Sequence, residues 1–424
     1  MVTTEAEVAA ERRHEEGNRS AGQAGQRGHV GRLVETYRPG YGLPGDFYRD
    51  EALYTHEIDS IWRQGWIFAG HGCQIPLPGD FLTLTLDTDP LLVIRDEGGQ
   101  VRAFHNVCTH RGTVLCDEES GHARAIVCPY HQWTFSRRGA LLKCAGMQDN
   151  IDKEALGLRP VRVETCEGLI FLSLASDPPA FEPARRDMGP LARPQGLEQA
   201  RVAAVVDYEV EANWKLVWEN NRECYHCSVS HPQYVRSNFD IFEEGRGSAL
   251  IHQRLEQAIA RSESTDPTAR YEGLSISHKA GGLAAFPDAD NNIWYAANRT
   301  VLTKGYDSES LDGRRVAPLM GDYRDAAAGV LRLRTLPNFW SHASCDYAMT
   351  TRLLPAGLHR TLIRVTWLVH GDACEGRDYT LDHLLPFWRL TSEQDWALCA
   401  RVQRGVASSG YQPGPLSRTR EYNL

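Results

Sequence analysis

No dense basic stretch occurs in this chain: 46 Lys and Arg stand against 55 Asp and Glu, for a formal net charge of −9 and a pI near 6.0. Nucleic acid is therefore not an expected partner. Also missing is any run near the roughly 18–20 uninterrupted apolar residues that a membrane span requires. Residues 1–18 are rich in Glu, Ala and Arg and lack the apolar stretch of a secretory signal. The expectation is a soluble, cytoplasmic protein with no membrane partner. Internal repeats and long low-complexity runs are absent too. Cysteine is not scarce, but 11 of them, an odd number in a chain without an export signal, predict reduced thiols in a reducing compartment. With 424 residues, 42% of them hydrophobic, the chain can bury the cores of two domains.

Residues 1–42 read as a mobile N-terminal arm, polar and without periodicity as far as about residue 38. Within 50–68, Leu53, Ile58, Ile61 and Trp62 recur at helical spacing. Short alternating stretches at 81–86, 91–95 and 101–107, separated by turn residues, predict antiparallel strands, and 125–127 and 133–135 continue the pattern. Residues 43–175 then form a small all-β domain. Pro178, Pro179 and Pro183 mark a linker, and 176–424 form a second, α+β domain. There the pattern predicts a strand at 201–211, a helix at 214–227 capped by Asn213, and strands at 330–336, 344–354 and 359–370. The polar, aperiodic region 243–282 suggests a mobile or substrate-covering loop. A last helix is opened by Thr391 and Ser392, with Gln394 placed for a capping box and Trp396, Cys399 and Val402 on its apolar side.

Two loops carry the first chemistry. Cys108-Thr109-His110 is followed after seventeen residues by Cys128-Pro129-Tyr130-His131. Each loop offers one thiolate and one imidazole, which suits a two-iron, two-sulfide cluster with two cysteines on one iron and two histidines on the other. Structural zinc competes for such a set, but zinc modules usually draw one kind of ligand from each segment, as in Cys-x2-4-Cys and His-x3-5-His. Mixed loops favour a Rieske centre, with Cys108 and Cys128 meeting on one iron and His110 and His131 on the other. The flanking stretches 104–112 and 128–135 resemble the cluster loops of Rieske proteins.

A second ligand set begins at Glu223-Cys224-Tyr225-His226-Cys227 and ends at His231-Pro232. On the predicted helix Glu223 and His226 share a face, whereas His231 points about 140° away at 100° per residue. Both imidazoles reach one metal only if the helix ends between them, and Pro232 supports such a break. Two histidines and a distant carboxylate form the facial triad of non-haem Fe(II) oxygenases. Asp395 is the expected carboxylate and Glu393 the fallback. An acid in a first helical turn also has a plain explanation, interaction with the helix N-terminus. The Cys224-x-x-Cys227 pair is expected to be packed and reduced.

A Rieske pair followed about a hundred residues later by Glu-x-x-His-x4-His, and then by a late aspartate, resembles the oxygenase subunit of Rieske non-haem iron oxygenases from about residue 43 to 416. Gln132 where many members carry glycine, the run 219–227, Leu311-Asp312-Gly313 and Pro337-Asn338 look closer to the branch that demethylates quaternary amines such as glycine betaine. The ring dioxygenases usually have aspartate at the place of Glu223. The resemblance implies an all-β Rieske domain followed by a helix-grip catalytic domain, an antiparallel sheet with helices. It implies one [2Fe-2S] cluster and one mononuclear Fe(II) per subunit, an NAD(P)H-dependent flavin or iron-sulfur reductase as partner, and a ring of subunits, commonly a trimer. Within that ring Glu223 would bridge the cluster of one subunit and the iron of the next. The implied activity uses O2 to hydroxylate an N-methyl group and release formaldehyde; the alternative is hydroxylation of an aromatic or secondary-metabolite substrate. Aromatic faces for a quaternary ammonium are offered by Trp294, Tyr295, Tyr306, Phe339, Trp340, Tyr347, Trp367, Phe387 and Trp388. A bare Rieske electron carrier would need only the first domain.

Overall fold

The computed structural model describes residues 28–148, 150–238, 249–265, 294–418, 420, 421 and 424. The strands of the N-terminal half are β1 (Ile67–His71), β2 (Asp80–Leu86), β3 (Asp89–Arg95), β4 (Val101–His105), β5 (Ser120–His122), β6 (Ile126–Val127), β7 (Thr134–Phe135), β8 (Leu141–Lys143), β9 (Pro160–Cys166) and β10 (Leu169–Ser173). Seven of them make an antiparallel sheet in the order β1-β10-β9-β4-β3-β2-β5, and β6-β7-β8 make a small second sheet. Tight turns set the registers. Glu167 and Gly168 both have positive φ, 46° and 85°, the conformation a two-residue hairpin needs, and a Cβ on Gly168 would lie 2.6 Å from the Glu198 backbone nitrogen. Alternation gives the large sheet two apolar faces. Leu82, Leu84, Leu91 and Val93 join the core shared with the C-terminal half, whereas Phe81, Leu92 and Ile94 pack with Cys108, Cys128 and Trp133 under the ligand loops.

The C-terminal half is one six-stranded antiparallel sheet, β11 (Arg201–Val210), β12 (Tyr295–Thr300), β13 (Val330–Thr335), β14 (Phe339–Ala343), β15 (Ala348–Pro355) and β16 (Thr361–Val369), ordered β11-β16-β15-β14-β13-β12. The described helices are α1 (28–35), α2 (Glu51–Glu57), α3 (Glu182–Ala192), α4 (Trp214–Arg222), α5 (Cys227–Ser230), α6 (Pro232–Ser237), α7 (Ala249–Thr265), α8 (Leu381–Leu384) and the 21-residue α9 (Pro386–Val406). The fold is thus α+β, a β domain followed by a sheet gripped by a long helix.

α4 and α9 run antiparallel and are tied at three levels. The Asn213 backbone N–H donates to Gln403 Oε1 at 2.8 Å, Cys399 Sγ lies 3.7 Å from the Leu216 carbonyl, and Asn220 Nδ2 donates to Asp395 Oδ1 at 3.2 Å. The two halves are also stitched together. The Asn338 side chain accepts from the Phe68 N–H at 2.8 Å and donates to the Phe68 carbonyl at 3.0 Å. Trp214 Nε1 and Lys215 Nζ both donate to Glu57 Oε2, at 3.0 and 2.6 Å.

Several elements differ from the sequence-based expectation. Residues 28–35 of the supposed arm are helical and Val30 is buried; residues 1–27 lie outside the described residues. The helix expected over 50–68 is shorter, because α2 gives way to a π-helical turn at Ile58–Trp62 and β1 starts at Ile67. Pro183 opens α3 instead of lying in a linker, at a position where its missing N–H costs nothing. The presumed loop 243–282 contains α7, and the rest of it, 243–248 and 266–282, lies outside the described residues. α9 begins at Pro386, so Thr391 and Ser392 are buried inside it and cap nothing; Thr391 Oγ1 instead donates back to the Phe387 carbonyl. Val402 faces outward, 46% exposed, while Trp396 and Cys399 are buried.

Candidate metal centres

The two N-terminal ligand loops are built alike. In the first, the Cys108 N–H donates to Thr113 O at 2.8 Å and the Gly112 N–H to Cys108 O at 3.0 Å; in the second, the Cys128 N–H donates to Trp133 O at 2.8 Å and the Gln132 N–H to Cys128 O at 3.0 Å. Equivalent residues close each loop with positive φ, 75° at Gly112 and 59° at Gln132. Glycine is the natural occupant there, and Gln132 adopts a left-handed conformation at some steric cost.

These loops bring the two expected cysteines together and the two expected histidines together. Cys108 and Cys128 are buried side by side and hydrogen-bonded to each other. Burial raises the Cys128 thiol pKa, but the N–H groups of Tyr130 and His131 and the Cys108 thiol outweigh it and hold the group below its usual value. The rings of His110 and His131 lie 4.7 Å apart, and Trp133 stacks on His110 within 5° of parallel. Nδ1 of each histidine is buried without a hydrogen-bond partner among the described residues. Two buried, unspent nitrogens and two hydrogen-bonded thiols are a donor set suited to a [2Fe-2S] cluster.

The second centre lies between α4, α5 and α9. α4 stops at Arg222, and Glu223 is extended, so Glu223 and His226 do not share a helix as expected. The break falls before Glu223, and His226 stands at the start of α5. His231 is buried in the bend between α5 and α6, immediately before Pro232. Asp395 projects from the third turn of α9, which removes the helix N-terminus as an explanation for it. His226 Nε2 is 3.2 Å and His231 Nε2 is 2.8 Å from Asp395 Oδ1. The other ring nitrogens are occupied: His226 Nδ1 bonds Glu223 Oε1 at 2.5 Å and His231 Nδ1 bonds Gln394 Oε1 at 2.8 Å.

With both Nδ1–H groups donating to carbonyl-type oxygens, the two Nε2 lone pairs face one carboxylate oxygen. Lone pairs so arranged need a proton or a cation between them, and the donor set fits a divalent metal. The titration behaviour agrees. Burial disfavours charge on His226, yet its bonds to Asp395 and Glu223 hold its pKa up at about 10. Burial raises Asp395, but the two imidazoles bring it below the usual carboxylate range. Cys227 Sγ lies within 4.8 Å of donor atoms of both histidines, but it is bonded to Cys224 Sγ and offers no thiolate. That disulfide corrects the expectation of reduced thiols. Three residues apart across the bend, the two cysteines sit 5.0 Å apart at Cα, within bonding reach.

Reading the sequence missed the residues that hold the histidines. Gln394, taken for a cap, orients His231 and is itself held by Gln233 Nε2 at 2.9 Å. Asn220 touches both Asp395 and His226, the latter at 3.5 Å, from the last turn of α4. Its place six residues before His226 is no signal until the helix is known to stop. Glu393 points elsewhere, to Arg389 at 3.0 Å. Of the aromatic candidates, Phe339, Tyr347, Trp367 and Phe387 are core, whereas Trp294 and Tyr306 are half-buried.

An all-β domain with a mixed Cys/His loop pair, followed by a helix-gripped sheet with two histidines and an aspartate, defines a Rieske non-haem iron oxygenase α subunit. The chain belongs to that family. Residues 65–154 match the Rieske [2Fe-2S] domain and residues 197–424 the ring-hydroxylating α subunit catalytic domain, so each subunit carries a [2Fe-2S] cluster and a mononuclear iron. It is 38% identical over 388 residues to the glycine betaine monooxygenase oxygenase subunit of Pseudomonas aeruginosa strain UCBPP-PA14, covering 91% of this chain and 86% of that one. A solved quaternary ammonium Rieske monooxygenase concerned with carnitine oxidation superposes with TM-score 0.66 at 21% identity, over 90% of this chain and 92% of the other. The large oxygenase component of naphthalene 1,2-dioxygenase from Pseudomonas aeruginosa is 33% identical, over only 48% of this chain and 47% of its own. No helix among the described residues is long and apolar enough to cross a membrane.

Proposed function

We propose that this chain is the oxygenase component of a monooxygenase that demethylates a betaine-like quaternary amine. The observation that carries the reading is the 38% identity to a glycine betaine monooxygenase subunit across 91% of the chain, whereas the aromatic dioxygenase matches only about half of it. In this reading Cys108, His110, Cys128 and His131 hold the cluster, and His226, His231 and Asp395 hold the iron. Iron bound there would supply O2 activation, and the cluster would supply its electrons. The reaction inserts one oxygen atom into an N-methyl C–H bond, and two electrons and two protons take the other to water. The hydroxymethylated ammonium then loses formaldehyde: the C–N bonding pair stays on nitrogen and the hydroxyl proton passes to solvent.

The residues around the iron do the positioning. Glu223 and Gln394 hold the Nδ1–H of each histidine, so that both Nε2 lone pairs point inward. Asn220 holds Asp395 in line with them. In a ring of copies, a trimer in this reading, Glu223 would contact a neighbouring subunit's cluster histidine; its side chain is 13% exposed, and within its own chain its oxygens accept from His226 Nδ1 and the Tyr225 N–H. A reductase carrying flavin or an iron-sulfur centre and using NAD(P)H would supply the electrons.

Formaldehyde release from glycine betaine, with a reductase, NADH and O2 present, is the test. No turnover across a panel of methylated amines, with substrate-dependent oxygen uptake on ring compounds, would decide for aromatic hydroxylation. Metal analysis tests the ligands separately. Asp395→Ala should drop from three irons per chain to two while keeping the cluster's absorption, and retention of all three would show that another residue is the third ligand.

A further inference from the structure

The Cys224-x-x-Cys227 pair is the motif of the ligand segment that neither metal centre uses. Of the eleven cysteines in the chain nine are free, among them Cys116 and Cys144, which pack near the cluster cysteines. The pair joined as a disulfide is the one that brackets the iron-site residue His226. A purely structural crosslink explains it poorly. Cysteines three residues apart close a very short loop, from which a crosslink removes the least chain entropy. The two sulfurs also differ in surroundings. Cys227 is buried, with Sγ 3.9 Å from His226 Nε2 and within 4.8 Å of a donor nitrogen of His231. His226 Nε2 and His231 Nε2 both face Asp395, so this sulfur borders the space that the three donors enclose. Cys224 is only half-buried and precedes the exposed Tyr225.

That placement suits a redox couple whose oxidant arises at the iron. An oxygenase that passes two electrons and two protons to O2 with no C–H bond to attack releases hydrogen peroxide. We propose that Cys224 and Cys227 are a peroxide-consuming dithiol, which destroys peroxide formed at the iron before it oxidises the ligands. The Cys227 sulfur attacks one peroxide oxygen, the O–O bond breaks and one water leaves, giving a sulfenic acid. The Cys224 sulfur then attacks the Cys227 sulfur, the S–O bond breaks and a second water leaves as the disulfide forms. In sum, two thiols and one H2O2 give one disulfide and two waters, which carry off both thiol protons. A dithiol reductant restores the pair by attack on the more exposed Cys224 sulfur. The proposal rests on the iron site described above and not on which amine is the substrate.

The test traps thiols in the purified oxygenase loaded with cluster and iron. Trypsin cuts after Arg222 and Arg236, and the peptide 223–236 holds this pair and no other cysteine. The enzyme is reduced with dithiothreitol, desalted without O2, given stoichiometric dithionite and exposed to O2 with no amine present. Catalase removes any peroxide that reaches solution. Alkylation and mass spectrometry then read the pair. Both thiols should be lost to a disulfide in the iron-loaded enzyme and kept in enzyme from which a chelator has taken the mononuclear iron but not the cluster. Cys227→Ser should lose iron over repeated rounds of the same treatment while the wild type keeps it. Three irons per chain with both thiols intact after O2, or equal oxidation with and without the mononuclear iron, would overturn the proposal alone. Only two irons per chain at the outset would overturn the iron site and the proposal with it.

Discussion

At single residues, the two centres differ in how much of their geometry is carried by neighbours. Glu223 makes no contact with Asp395 but fixes the tautomer of His226, so Glu223→Gln should keep both metals and lower turnover by about 10- to 100-fold. Metal analysis beside formaldehyde release checks this, and near-normal activity would remove its bridging role. Gln132 is a different case, a side chain in a conformation that glycine occupies in the twin loop. Gln132→Gly should stabilise the Rieske domain by about 1 kcal/mol, the usual cost of a left-handed L-residue. The cluster's spectrum should not change. The thermal midpoint followed by cluster absorbance is the readout, and a lower midpoint would mean that the glutamine side chain makes a compensating contact.

Among secondary-structure elements, α4 is the one on which the iron site depends. Its cap, Asn213, accepts from the Lys215 N–H at 3.1 Å and donates to the Leu358 carbonyl at 2.8 Å, both buried. Asn213→Ala removes the cap and leaves that carbonyl unpaired, a loss of roughly 2–4 kcal/mol. Denaturant unfolding would measure it. The capped start of α4 was legible in the sequence, as were most strands with clear alternation. Its end was not. Arg222 and Glu223 include no Gly or Pro, and the helix stops there because Glu223 turns extended to meet His226. β14 went unread for a related reason: its residues Phe339-Trp340-Ser341-His342-Ala343 are almost all buried, so no alternation marks it. The start of α9 did have a local sign, Pro386 in the first turn, which the polar pair Thr391-Ser392 outshone. Because of that misplacement Asp395 looked like a first-turn acid, and only the true start of the helix shows it to be interior. The candidate donors were legible in the sequence, since metal chemistry dictates residue type and spacing, and the structure brings His226, His231 and Asp395 together. The amides behind them were not, since Asn220 and Gln394 act through three-dimensional proximity alone.

In the whole molecule, the N-terminal segment is locked onto the catalytic body by charge as well as by apolar packing. Tyr48 OH donates to both oxygens of Glu219, at 3.0 and 2.9 Å, beside the buried Lys215–Glu57 pair. Burial raises the Glu219 pKa to about 7 from 4.5, against the lowering effects of Tyr48 and Lys215. The folded state therefore holds this proton more tightly than the unfolded chain does. Its contribution to stability is fully present below pH 4.5, declines as pH rises toward 7 and is flat above that. Against Glu219→Gln, which does not titrate, the wild type should lose up to about 3 kcal/mol across that window, at about 1.4 kcal/mol per pKa unit. Parallel stability–pH curves for the two proteins would show that Glu219 is already ionised in the fold.

The three ties between α4 and α9 make the helix pair a vernier. Asn213 is matched to Gln403, Leu216 to Cys399 and Asn220 to Asp395, so seven residues on one helix are measured against eight on the other. One residue inserted between Asp395 and Gln403 would swing the aspartate by about 100° and 1.5 Å relative to its far anchor. Length changes before Asn213 or beyond Gln403 leave the match intact. Insertions outside the tied span should therefore leave iron content unchanged, while a one-residue insertion inside it should lower that content.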